Sequence, residues 1–297
     1  MATPTEHPLL ERAPTPVRDV PTRRLSFAET FADVPRHFAA DGDLLKSHFA
    51  ATLSAVFPDG EDFFVRSVRH YRDRITDTEL RRQVAGFIGQ ESVHGREHRA
   101  FNERLAELGY PTRAFERLTR GALRLRERLA PARSNLAATA ALEHYTATFA
   151  EALLSDPELY DSFGNDAVRN LFLWHAVEES EHKAVAFDVY RAVGGTERMR
   201  RIVMNLTTVG FVVGITVMMV VSLLSDPATY HPRRLWRSWR EFRRFPLLQR
   251  EVRARIREYQ RPGFHPDDRD STELLERWRA ELFGQSGTLR PLLKGVA

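Results

Sequence analysis

Apolar residues recur at intervals of three and four along nearly the whole chain, and two-residue alternation is scarce. That period belongs to helices. Proline and glycine clusters cut the pattern into segments. The first strongly periodic stretch is Leu44–Phe57, followed by Pro58-Asp59-Gly60, where a helix is expected to kink or restart before a stretch from Glu61 to about Ile75. Asp77 is a good N-cap for a long helix to about Leu108, stopped by Gly109-Tyr110-Pro111. A connecting helix spans Arg113–Leu129 and ends before Pro131. Ser134 can cap a helix to Leu154, and Asn165 or Asp166 opens another that runs to Val193, before Gly194-Gly195. Thr196 opens a further helix that continues into an apolar stretch. Two shorter Arg-rich helices and a Pro/Gly/Asp-rich link, Arg261–Asp270, follow. The chain therefore reads as all-α.

The apolar stretch Ile202–Leu224 holds 23 residues without a charge. At 1.5 Å per residue it is about 34 Å long, enough to cross a bilayer. Arg198, Arg200 and Arg201 precede it and an Arg-rich segment follows, so both flanks are positive and a simple span is disfavoured. Gly210-x3-Gly214 permits close helix packing. Three readings stay open: a buried helix or homodimer interface, monotopic insertion at a membrane surface, and a true span.

Composition narrows the chemistry. There are no cysteines, so thiolate metal sites, iron–sulfur clusters, disulfides and cysteine nucleophiles are all excluded. Any metal must be held by nitrogen and oxygen, which favours iron, manganese or zinc. The formal charge of +4 is local: from His231 to Arg261 there are 11 Arg against three Glu. This basic segment suits an anionic surface, or a solvated face with Arg–Glu pairs; a membrane is favoured over nucleic acid. The first 24 residues carry five prolines and no apolar run, and read as a flexible leader of a cytoplasmic protein.

Glu91-Ser-Val-His94 and Glu179-Ser-Glu-His182 are both Glu-x-x-His, whose side chains share a helix face. With 24 Glu and 11 His, chance supplies about one such match, so the arrangement must carry the argument. A di-metal bundle needs Glu-x-x-His from two helices and one Glu from each of two others. In an antiparallel pair, residues equidistant from the turn lie level. Glu61 and Glu91 centre on residue 76, in the turn Thr76-Asp77; Glu143 and Glu179 centre on residue 161, in the turn 157–164. The metal-ligand set is therefore Glu61, Glu91, His94, Glu143, Glu179 and His182. His175, four before Glu179, shares its face and joins the set, and His98, four after His94, is a further candidate. His144 points about 100° away from Glu143. Glu178 rivals Glu179, and Trp174, Phe172, Phe187 and Tyr145 read as core. The resulting fold is a ferritin-like four-helix bundle with additional C-terminal helices: a leader at 1–24, the di-metal bundle at 25–200, the apolar and Arg-rich helices at 201–260, packing on the bundle or a membrane, and a tail at 261–297.

Phe57-Pro-Asp-Gly-Glu61, Gln90-Glu91-Ser-Val-His94 with His98, and Trp174-His175-Ala-Val-Glu178-Glu179-Ser-Glu-His182-Lys183 resemble a bacterial family of predicted metal-dependent hydrolases, over about residues 25–260. That resemblance implies hydrolysis. The spacing His175-x3-Glu179-x2-His182 also resembles diiron arylamine N-oxygenases, where an extra histidine joins six ligands. It implies the same seven residues here, although Pro58 and Gly60 would set Glu61 close to a helix start. The expectation is a non-haem di-metal enzyme, with iron before manganese or zinc, that oxidises or oxygenates a small organic substrate with O2. Metal-dependent hydrolysis is the alternative. A non-catalytic metal-binding or membrane-associated protein is the second.

Overall fold

The computed structural model describes residues 15–294. The helices are α1 (Leu44–Arg69), α2 (Thr78–Glu107), α3 (Thr112–Leu129), α4 (Ala132–Ser155), the short α5 (Pro157–Asp161), α6 (Asp166–His182), α7 (Val185–Ala192), α8 (Glu197–Leu224), α9 (Pro232–Phe242), α10 (Arg250–Glu258) and α11 (Thr272–Phe283). Among the described residues no β-strand occurs, and the chain is all-α.

Local chemistry explains the boundaries. Asp77 caps α2 by accepting from the backbone N–H of Glu79 and Leu80 at 2.8 and 3.0 Å. At its other end Gly109 takes φ +92°, so that Gly109 N–H reaches Ala106 O and Tyr110 N–H reaches Leu105 O. This double closure of a helix end needs a left-handed residue. Asn165 caps α6 and Thr196 caps α8. Ser134 is not a cap; α4 begins at Ala132, behind Pro131.

Two boundaries differ from the sequence reading. Residues 166–193 do not form one helix: the chain turns at Lys183-Ala184 between α6 and α7. Conversely, α1 does not restart at Pro58 but runs through it, so Glu61 lies well inside the helix. A proline there removes the hydrogen bond to the carbonyl four residues back. That carbonyl, Ser54 O, instead accepts from Asn102 Nδ2 of α2 at 3.1 Å. Tertiary packing thus supplies the bond that proline lacks.

Helices α1 and α2 pack as one pair, α4 and α6 as a second, and α1 and α2 also touch α4 and α6 respectively. Apolar residues gather into two cores. One contains Phe101, Leu171 and Trp174; the other contains Phe63, Phe87 and Leu136. Along α1 and α2 the change from one core to the other falls at the predicted ligands; on α4 it comes just after Glu143, between Tyr145 and Ala150; and α6, which packs in the first core up to Val177, passes Glu179 and His182 before α7 enters the second, so a polar layer lies between two apolar ones.

Residues 15–24, expected as part of a leader, instead run along the bundle. The rest of that stretch lies outside the described residues. Val20 is buried, and a Cβ on Gly86 or Gly89 would run into Val20 or Thr22, so these glycines let the segment lie against α2. Arg18 pairs with Asp188 and Asp267. Residues 261–294 are likewise more than a tail: they contain α11, whose Trp278 donates to Leu154 O at 2.8 Å, and Leu293 forms a bridge with Leu25.

Helix α8 is long and apolar enough, by length and composition, to cross a membrane. It lies along α1 and α4 and is not buried in the chain's own core. Three of its polar side chains turn inward: Thr208 accepts from Tyr145 Oη at 3.0 Å, Ser222 Oγ meets His48 Nδ1 at 2.7 Å, and Arg200 binds the carbonyls of Tyr259 and Arg261. One row of its apolar side chains, including Val203, Met204 and Met218, is buried against the bundle, while another turns outward, with Leu206 and Val209 each 63% exposed. The buried-helix reading is therefore wrong for this chain.

Candidate metal centre

The structure brings all seven predicted residues together, and all seven are buried. Glu61 comes from α1, Glu91 and His94 from α2, Glu143 from α4, and His175, Glu179 and His182 from α6. Three overlapping triads can each hold a cation: Glu61 with His94 and His175, Glu91 with His94 and Glu179, and Glu91 with Glu143 and His182. Gly95 makes room for the contact between α1 and α2, since a Cβ there would stand 3.2 Å from Glu61 Oε2.

Surrounding hydrogen bonds fix the orientation of each histidine. Gln90 Nε2 donates to Pro21 O and Glu181 Oε2, which leaves Gln90 Oε1 to accept from His182 Nδ1 at 2.8 Å. The lone pair of neutral His182 is then on Nε2, facing Glu91, Glu143 and Glu179 at 3.2, 3.4 and 3.6 Å. Glu178 accepts from His94 Nε2 at 3.0 Å, so His94 Nδ1 faces Glu179. A longer relay sets His175. Asn102 Nδ2 donates to Glu116 at 2.8 Å, so its Oδ1 accepts from Ser54 Oγ. Ser54 Oγ in turn accepts from His98 Nδ1, and His98 Nε2 accepts from His175 Nδ1 at 2.7 Å. The lone pair of His175 Nε2 is left pointing at Glu179 Oε1, 2.9 Å away.

Three imidazole lone pairs therefore converge on four carboxylates. A lone pair and a carboxylate oxygen repel at hydrogen-bond distance unless a proton or a cation lies between them. Both oxygens of Glu61, Glu91 and Glu143, together with Glu179 Oε2, His94 Nδ1 and His182 Nε2, are buried without a hydrogen-bond partner. Leaving so many charged acceptors uncompensated costs several kcal/mol per ion. A pair of divalent cations fits this donor set, because four carboxylates neutralise them and neutral imidazoles complete the coordination.

The sequence-predicted residues outside this set take other places. His98 is not a ligand candidate, because both ring nitrogens are engaged in positioning His175. Glu178 orients His94 rather than rivalling Glu179. His144 points away, with Nε2 on Arg255 O at 3.0 Å. Trp174 and Phe172 are core residues that edge against His94 and His98. Sequence reasoning missed Arg23, Gln90, Ser54, Asn102 and Glu116. Arg23 donates to Glu178 at 3.0 Å and to Glu181 at 2.8 and 2.7 Å. Only Gln90, next to Glu91, lies within a motif that could have drawn attention.

Electrostatics agree with a site that draws positive charge. Burial, together with Glu91 and Glu179, pushes the Glu61 carboxyl well above its ordinary range, and burial with Glu143 does the same to Glu91. Burial, then Glu179, raises Glu143 to about 7. Burial opposes a charge on His182, but Glu179, Glu143 and Glu91 outweigh it and raise its pKa. Without metal, protons are drawn to the points a cation would occupy. Cation binding must displace them, so metal affinity should rise with pH through the neutral range and binding should release protons. Calorimetric titration of metal into the metal-free protein near pH 7, in buffers of different ionisation enthalpy, should show buffer-dependent heats; identical heats would contradict this.

A cavity of about 520 Å³ adjoins the site, and Glu61, His175 and Glu179 form part of its lining. The remaining walls are mainly apolar, including Phe57, Phe64, Phe149 and Phe211. Phe57 lies 4.7 Å from the His175 ring, centre to centre.

Residues 21–270 match the family model described as "Predicted metal-dependent hydrolase". No curated protein and no solved structure matches the chain significantly. The description supports metal dependence and points to hydrolysis, the alternative in the sequence reading, rather than to oxidation.

Proposed function

Since the chain belongs to the predicted metal-dependent hydrolase family, we propose that its seven buried Glu and His residues hold two metal ions, and that the enzyme oxidises an apolar small molecule with O2. The observation that carries this reading is the carboxylate-rich ligand set opening onto an apolar cavity. Such sets on four helices suit iron or manganese. Bound ions of this kind supply the electrons and open coordination positions that dioxygen chemistry needs, or, if redox-inert, the Lewis acidity that hydrolysis needs.

Phe57, Phe172 and Phe211 exclude water and hold an apolar substrate by burial of surface rather than by polar contacts. Glu61, His175 and Glu179 present the metal-binding side of the cavity to it. The Asn102–Ser54–His98 relay keeps His175 in one tautomer through turnover. Hydrolysis remains the second reading, because the family description favours it.

Dioxygen separates the two. Protein loaded anaerobically with Fe(II) should consume oxygen on mixing and develop a transient visible absorption band. Turnover of ester substrates by zinc-loaded protein under nitrogen, with no oxygen uptake by the iron form, would decide for hydrolysis.

A further inference from the structure

The face formed by α3 and α8 has the properties of a membrane-docking surface. Along α8, Ile202, Leu206, Val209, Val213, Val217 and Leu224 are all about half exposed or more. A soluble surface seldom carries so continuous an apolar strip. On α3, Leu118, Leu125 and Leu129 are 57, 55 and 76% exposed. The two strips are linked by the cavity beside the metal centre. Leu118 of α3 and Leu206 of α8 line that cavity and are themselves exposed, so its mouth lies between the two helices.

What surrounds these strips identifies the occupant. Helix α3 carries six Arg against two Glu, and residues 231–261 carry 11 Arg against three Glu. Tyr230, Trp236 and Trp239 are exposed just after α8, with Tyr230 Oη donating to Leu224 O at the helix end. Apolar faces bordered by arginines and exposed Trp and Tyr suit the headgroup region of an anionic bilayer. A second copy of the chain would set like-charged borders against each other.

We propose that the α3–α8 face docks on an anionic phospholipid bilayer without crossing it, and that a lipophilic substrate passes from the leaflet through the mouth between these helices to the metal centre. Docking stands independently of the proposed chemistry; the entry route rests on the reading of the cavity as the substrate site. The polar anchors Thr208, Ser222 and Arg200 hold α8 on the bundle, so its outward side chains can sink to acyl-chain depth while the helix stays in place.

Flotation of the full-length protein tests docking. It should rise with vesicles of phosphatidylcholine and phosphatidylglycerol at two to one, and much less with phosphatidylcholine alone. The exposed double substitution Val213→Glu and Val217→Glu should cut the floated fraction at least tenfold, with helical signal and metal content unchanged. Wild-type protein that stays at the bottom with both vesicles overturns docking, as does a double variant that floats like wild type. A wild-type dimer that the same substitutions dissociate, with no flotation, makes a second copy the occupant. The entry route is probed with cis-parinaric acid, which fluoresces in apolar surroundings. Wild type should bind it, and Gly214→Trp, which places a ring in the cavity where no atom lies within 4 Å of the added Cβ, should not. Flotation without parinaric acid binding by wild type keeps docking and overturns the entry route together with the cavity's role in the proposed function.

Discussion

Glu91→Gln should empty the metal centre and yet stabilise the metal-free protein. Glu91 belongs to two of the three triads at this site that could hold a cation, so its charge bears on both proposed metal positions. Losing an outer hydrogen-bond partner alone typically weakens metal binding by about 10–100-fold; losing this carboxylate should exceed that. The opposite effect on the metal-free protein follows from burial. Glu91 is 1% exposed, its oxygens have no hydrogen-bond partner, and its pKa is pushed well up by burial and by Glu143. A carboxyl with a raised folded-state pKa is harmless while protonated in both states. Its cost appears as pH rises above the unfolded value and is complete above the folded one. The glutamine variant should therefore match wild type near pH 4 when metal-free and exceed it by about 1–3 kcal/mol near pH 8. With saturating metal the order should reverse, since only wild type gains binding free energy. Thermal melts with and without chelator at the two pH values measure all four states. A variant less stable than wild type in the metal-free state at pH 8 would contradict the account.

The second large effect lies in the N-terminal segment. Arg23→Ala removes the cation between Glu178 and Glu181, whose side chains have no exposure to solvent. Arg279 still reaches Glu181 at 2.6 Å, but Glu178 loses its arginine and is left facing His94 Nε2 within the core. Breaking a buried pair on one side costs about 3–5 kcal/mol. Here the loss should also loosen His94, because Glu178 sets its tautomer, so metal affinity should fall by about 10–100-fold. Glu178→Gln in the same chain removes the stranded charge and should restore most of the stability but little of the affinity. That split, read from denaturant unfolding and metal titration, separates a role in positioning His94 from a purely structural one. Equal recovery of both would speak against it.

The two effects mark what the sequence made legible. Level pairing of Glu61 with Glu91 and of Glu143 with Glu179 depends only on chain distance from a turn, so six ligand candidates could be read off. His175 followed from helical spacing. The positioning groups could not be read this way. Arg23 reaches Glu178 across 155 positions, from a proline-rich stretch that composition alone assigns to a leader. Asn102 serves both the relay and the carbonyl freed by Pro58, and that second bond keeps α1 unbroken where local propensity ends it. His98 sits on the same helix face as His94, so spacing could not separate a ligand from the residue behind it. Only its partners Ser54 and His175 do so. For α8, one composition fits a core helix, a membrane helix and an interface; the exposure of Leu206 and Val209 beside the inward-facing Thr208 and Ser222 argues only against the first, and that is a tertiary fact.

On the proposed reading, the polar layer between the two cores holds two cations. Elemental analysis after anaerobic Fe(II) loading and desalting tests it most directly. About two iron ions per chain are expected, lost when Glu91 or His182 is replaced; a folded wild-type protein that retains none, or whose metal survives both substitutions, would overturn that reading.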